Sequence, residues 1–571
     1  MKPINFIILG MIILLEGCII FKPSIKEDSP VTEIGARGDS QPGNGYYLFL
    51  EARLHRHRGE HESALDLMQQ AMAADPHSML LKRELALWLW QSGDARGAME
   101  ILESVVAQHN DDSQALMMLG QLQQRQKQPA AAKASFEQAL RHDPDNEDLY
   151  HLLGEIYLEL EQLDEAQKAY ETLVSEFPES YVGYFYLGQI HSVRNNFEQA
   201  ATFFRRTISL APELEEPRLE LAEVYVRLGK WKEARQLYQG LLEGNPDHLR
   251  AQLGLGVLLQ KMDDAPPSQV LFKRLAQRCD SQPEVLKLIF QQFWDREQFE
   301  VGLDVFAQIG PYLTLTSDHH YWQGLLHEAL KSPDQAIVRF REVSDTSEYF
   351  SKAVVHGAYL LQETGRAVEA IAALQQAIVS KPDNPEFYLY LAGIFEDQKD
   401  YQSALDAVNK GLAVDEKNAR LLFRLGVVTD KLGRKAETIA AMEAVIGLEP
   451  ENATALNYLG YTYADLGENL DKAETYIREA LKYKPDDGYI TDSLGWVYYQ
   501  RGQYAEALEI LLKASELAPD DPIILEHVGD AYLKVSDHEK ALLFYRRSLE
   551  KNPEERENLR QKIQDVLQNN S

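Results

Sequence analysis

Few side chains in this 571-residue sequence stand at spacings that do chemistry. There are two cysteines, Cys18 and Cys279. If Cys18 serves as a point of attachment, Cys279 has no partner, so a disulfide framework and a cysteine-based zinc site both drop out. Cys279 is then a small, half-buried filler near a loop. Gly254-Leu255-Gly256 opens a GxGxxG, but Leu259 stands in its last place and the stretch lies inside a helical pattern, where small residues serve packing. His-Glu pairs occur at His61-Glu62, His327-Glu328 and His538-Glu539. A zincin needs a second His at the fifth place, which here holds Leu65, Lys331 and Leu542. His320 and His327 share a helix face with His319 close by, and a third ligand would make a metal site. The simpler reading is solvated histidines at the start of a helix. Acid pairs do general acid–base work only in a shared desolvated cleft, and here the carboxylates are expected on exposed helix faces. No catalytic residue, metal ligand set or cofactor is assigned, and the chain is read as a non-enzyme.

The balance of 89 acidic against 58 basic residues leaves a net charge of −31. Such a surface repels nucleic acid and anionic headgroups, so nucleic acid is set aside as a partner. Hydrophobic residues make up 45%, enough to fill a core.

Phe6 to Leu15 is apolar apart from Gly10, follows Lys2, and is too short to span a bilayer, which needs about 20 residues. It has the length of a signal-peptide core. The run ends in Leu15-Glu16-Gly17-Cys18, which resembles the bacterial lipobox; Leu15, Gly17 and Cys18 match, and Glu16 departs from the usual small or apolar residue. The resemblance implies a signal peptide over 1–17, cleavage before Cys18, and lipidation of Cys18. The alternative is an uncleaved signal-anchor in which Ile19 to Phe21 extend the apolar run. Residues 18–44 hold no helical or strand period and read as a lipidated, disordered tether. Ile19 rather than Asp after the Cys leans toward the outer membrane rather than the inner, with the body facing the periplasm.

The rest of the chain repeats itself. Gly495 is followed by Ala507, Ala514 and Pro519; Gly529 by Ala541, Ser548 and Pro553; Gly120 by Ala132, Ala139 and Pro144; all at the same offsets. Steps of 34 from Gly45, with one inserted residue near Asn469, give fifteen units, the last two starting at 488 and 522. Small residues at positions 8, 20 and 27, an aromatic at 11 and Pro near 32 resemble the tetratricopeptide repeat (TPR). The resemblance implies an all-α fold, a right-handed TPR superhelix (α-solenoid) of about fifteen helix-turn-helix repeats. No unit buries its apolar face alone, so neighbours must stack. The domains are then an N-terminal array over 45–282, degenerate units over 283–350, a C-terminal array over 351–555 and a capping helix over 556–571. Pro266-Pro267 falls where the seventh unit opens its second helix, and Phe290 replaces the small residue of the eighth.

The resemblance also implies a binding groove lined by positions 2, 5, 9, 12 and 13 of each first helix. In the last three units these include Asn457, Tyr461, Tyr489, Asp492, Trp496, Tyr499, Gln500, Glu526 and Asp530. Trp496 and Tyr499, three apart, share a face. With acids beside them they suit an apolar or basic extended segment. The alternative is that these aromatics cover the helix of the next unit. The first units offer a contrasting patch of Arg53, Arg56, His57, Arg58 and Arg83. No complete carboxylate clamp and no asparagine ladder at position 6 is present; position 6 holds Leu152, Tyr186, Tyr390, Tyr458 and His527. The expected role is a protein-interaction scaffold on the bacterial envelope, binding protein or peptide partners to assemble or support an envelope complex. The alternative role is a non-catalytic adaptor that recruits substrate to an envelope enzyme such as a glycosyltransferase or peptidoglycan enzyme.

Overall fold

One backbone feature sets the architecture. Position 15 of every unit has positive φ, from Gly59 at 82° through Glu161 at 60° and Gly365 at 76° to Ser536 at 66°. A left-handed residue ends a helix. Repeated each time the 34-residue step is taken, it divides each unit into a first (A) and second (B) helix. The computed structural model describes residues 45–314, 316–552 and 557–569. The expected signal peptide, Cys18 and the tether lie outside the described residues. Among the described residues the fold is all-α, a solenoid of stacked helix pairs with no strand. The residue inserted near Asn469 is absorbed in a turn, where Gly467 and Asn469 are both left-handed.

One packing rule holds A against B. Position 8 is small because the large side chain at position 24 of the same unit, often a ring, lies on it. A Cβ built on Gly120, Gly188 or Gly529 would come within 2.5, 2.6 and 2.5 Å of Phe136, Phe204 and Tyr545. Those rings are fully buried. The N-terminal N–H groups of many A helices are met by the preceding side chain, as Asp112, Asn418 and Asp521 show.

The chain forms two compact units that divide after residue 315. The first ends in its least regular repeats. Ala265–Ser281 is 17 residues long and carries Pro266 and Pro267 in its opening turn, where no N–H is needed. The next pair, Glu284–Trp294 and Phe299–Ile309, has 11 residues each. Phe290 at its position 8 is buried and packs on Trp294 at 5.0 Å. Cys279 corrects the expectation of a half-buried residue near a loop. It is 0% exposed inside Ala265–Ser281, and burial pushes its thiol up to about 12. In the second unit, Pro333–Arg341 is a B helix of only 9 residues. The final helix, Glu557–Asn569, buries Leu559 and Val566 and caps the array.

The expected solvated histidines are also corrected. His319 is buried, and His320 and His327 are half-buried, both pulled down first by desolvation. Among the described residues no group of three His, Cys, Asp or Glu could hold a metal, and no helix is long and apolar enough to cross a membrane.

Candidate functional site

The groove positions of the last three repeats sort into two clusters and a few outliers. In the first cluster Trp496 lies flat on Tyr499, with ring centroids 4.6 Å apart and 5° between planes. It also stacks on His527 of the next repeat at 4.1 Å and 17°. His527 Nδ1 in turn sits 2.9 Å from Asp492 Oδ2. Asp492 and His527 are 5% and 7% exposed, so this is a buried pair under an aromatic roof. Burial pulls the imidazole down, but Asp492 first, then Asp530 and Glu526, outweigh it and hold His527 above its ordinary value. Burial, then Asp530, pushes the Tyr499 hydroxyl up to about 12.

The second cluster is built by the capping helix. Lys562 Nζ donates to Asp530 Oδ1 at 2.7 Å and to Glu526 Oε1 at 2.9 Å, and Tyr545 donates its hydroxyl to Asp530 at 2.7 Å. Asp530 is 8% exposed. The expectation that these acids lie on exposed faces therefore fails. Asp492 and Asp530 already have internal partners, because a buried carboxylate without one would cost far more than a paired one. Of the remaining positions, Tyr489 is 60% exposed, while Asn457, Tyr461 and Gln500 are half-buried. Asn457 Oδ1 and Trp496 Nε1 are buried without a hydrogen-bond partner.

The residues that sequence reasoning missed sit at position 6. There the side chain reaches back to an acid of the preceding A helix. Tyr186 donates to Glu155 at 3.1 Å, Arg424 to Glu396 at 2.7 Å, and Tyr458 to Asp430 at 3.0 Å. His356 lies 2.8 Å from Glu328, and His527 on Asp492 belongs to the same set. The acid stands at position 5, 9 or 12 as the reach of the position-6 side chain requires. The linking side chain at position 6 varies among Tyr, His and Arg, and its partner lies about 30 residues earlier at no fixed offset.

The first unit carries a denser version. Arg250 contacts Glu216 and reaches Glu220 and Glu223 at 3.0 Å each, and Arg296 reaches Glu223 at 2.8 Å. Glu220 is 4% exposed, and burial, then Glu223, raises its carboxyl. Burial acts against ionisation of Glu223 too, but Arg296 and Arg250 outweigh it and hold that carboxyl low.

An open cavity of about 430 Å³ lies on the A helices of the second unit. Leu389, Phe423 and Val427 form its apolar floor, and Arg420, the Glu396–Arg424 pair and Asn452 stand around it. Leu389 and Phe423 are both position 5, and Val427 is position 9. The volume falls in the range of ligand-binding clefts.

The tetratricopeptide repeat pattern matches residues 55–122, 124–185, 194–253, 357–420, 423–489 and 458–570. A TPR repeat-containing protein of Pseudomonas aeruginosa is 31% identical over 201 residues, 35% of this chain and 34% of that protein. Anaphase-promoting complex subunit 3 of Schizosaccharomyces pombe is 21% identical over 339 residues, 57% of this chain and 45% of that protein. The chain thus spans between about a third and just under half the length of these relatives. Among solved structures, the APC/C hetero-tetramer Cut9-Hcn1 aligns at a TM-score of 0.37 and 13% identity, over 85% of this chain and 96% of that one. The helix pairs, the position-8 contacts and the matched repeats agree, and the chain belongs to the tetratricopeptide repeat family.

Proposed function

We propose that this chain is a non-catalytic scaffold, held on the bacterial envelope by an acylated Cys18 and facing the periplasm, that takes a partner segment on the A-helix face of its second unit. The carrying observation is the apolar floor of Leu389, Phe423 and Val427, contributed by groove positions of adjacent repeats and left open between charged side chains. An extended or helical segment with an apolar anchor fits such a floor, while the Glu396–Arg424 pair beside it gives orientation. A relative that is itself a subunit of a multi-protein complex supports the assembly reading. The pairing of Asp492 and Asp530 moves the favoured anchor away from the last two repeats.

A photo-crosslinker at Val427 in the full chain, expressed in bacteria, tests the site. The expected result is a crosslink to a discrete protein segment. Phe423→Ala should weaken purified complex formation by about 2 kcal/mol, the loss common for an aromatic anchor. Crosslinks to this chain alone, or unchanged affinity in Phe423→Ala, would sink the site. The anchor is tested separately by feeding an alkyne fatty acid. Label on the wild-type chain that Cys18→Ser loses is expected, and label that survives this change refutes it.

A further inference from the structure

Positions 3, 6 and 10 of an A helix form the side that meets the preceding repeat. In the 488 repeat these are Ile490, Ser493 and Val497, and in the 522 repeat Ile524, His527 and Ala531; none is more than 7% exposed. Leu149 and Ile156 of the 147 repeat are 0% exposed at positions 3 and 10. The first helix, Gly45–His57, carries Tyr47, Leu50 and Leu54 at the same positions, and they are 59%, 46% and 47% exposed. Tyr46 beside them is 64% exposed. The end of a repeat array is expected to turn a polar face outward. The opposite end does so, with Glu557, Arg560, Gln561, Gln564 and Asp565 exposed on the capping helix. The first helix instead presents an interior-type face.

We infer that this face lies on an anionic lipid surface. Three features favour lipid. The stripe has two tyrosines and two leucines on one side of a helix, the composition of an interfacial helix. Arg53, His57 and Arg58 are exposed at its margin, while Arg56 stacks over Trp88 at 4.4 Å. Of the nearby acids, Glu51 is half-buried, Glu60 pairs with His55, and Glu62 is exposed on the next helix. The net −31 of the whole chain does not oppose this, since salt screens charge beyond about 8 Å and the local face decides. Third, on the proposed lipidation of Cys18, on which this inference rests, the 26 residues from 19 to 44 cannot hold the helix farther than about 90 Å from the bilayer. The helix therefore meets the surface at high effective concentration.

The test uses the full acylated chain in vesicles of phosphatidylethanolamine and phosphatidylglycerol, with a nitroxide on Leu50→Cys. Acylated Cys18 and buried Cys279 do not take the label. A label on Val270→Cys, a position 68% exposed elsewhere in the same unit, is the control for folding and for general exposure. The expected result is that Leu50→Cys becomes about five-fold less accessible to a water-soluble nickel chelate than in neutral phosphatidylcholine vesicles, that oxygen access rises, and that R53E/R58E abolishes the difference. The control should not change. A vesicle-bound chain whose Leu50 label stays as accessible as the control overturns the docking and leaves the anchor standing. Protection that is equal in both vesicle types points to a second copy or the chain's own upstream segment and overturns the lipid assignment. A chain that never associates with vesicles overturns the anchor and the docking together.

Discussion

The imidazole of His527 sits 2.9 Å from Asp492 across the last repeat boundary, and the Trp496 ring lies 4.1 Å above it. The pair is buried, so it links two repeats through charge inside the array rather than at its surface. The His527 value in the fold lies above its ordinary 6.5. Its stabilisation is therefore complete below about 6.5 and is lost as pH rises through the folded value. The wild type should lose stability in the 488 and 522 repeats between mildly acidic and alkaline pH, and His527→Gln should flatten that loss. Asp492→Asn at pH 6 should cost about 3 kcal/mol, since it strands a buried cation. Hydrogen exchange of Pro522–Lys534 across pH reads both. A pH-independent wild type would refute the linkage.

Trp496→Ala should lower stability by about 2 kcal/mol, because its ring stacks on both Tyr499 and His527. Tyr489→Ala should leave stability unchanged, since Tyr489 is 60% exposed. Thermal unfolding of the two variants checks this. A stable Trp496→Ala would return that ring to the groove.

The left-handed turn residue predicts a gain. Glu161 holds φ at 60° with an L side chain, at a cost of about 1 kcal/mol, so Glu161→Gly should stabilise the array by that amount. Gly365 has φ 76° and open space around its Cβ position, so Gly365→Ala should cost about as much through backbone strain alone. Opposite shifts in melting temperature are the expected result, and equal ones would refute the turn assignment.

The Arg250 cluster predicts a pH effect in the first unit. The Glu220 carboxyl is raised, chiefly by burial, so its contribution is present at low pH and is lost as pH rises through the folded value. Glu220→Gln should remove that loss and leave the unit equally or more stable at pH 8. Arg250→Met should cost about 3 kcal/mol, since it leaves Glu216, Glu220 and Glu223 without their shared cation. Denaturant unfolding at pH 5 and pH 8 distinguishes the outcomes.

The repeat length, the helix pairs and the single insertion near Asn469 were legible in sequence because they are local. A small residue at 8, the large side chain that packs on it and a turn residue at 15 act within one unit, as Gly188 and Phe204 illustrate. That Trp496 and Tyr499 share a face was legible too, by helical spacing alone. The fate of those residues was not. Whether Asp492 meets solvent or His527 depends on a side chain from the next repeat, and Asp530 is claimed by Lys562 from the capping helix. These polar links reach back to position 5, 9 or 12 according to side-chain length, so they leave no period to read. The open floor at Leu389 and Phe423 likewise arises only when adjacent A helices stand side by side. Period determines which residues form a helix face, but burial of a charge is a property of two faces in contact, and only the tertiary structure supplies the second.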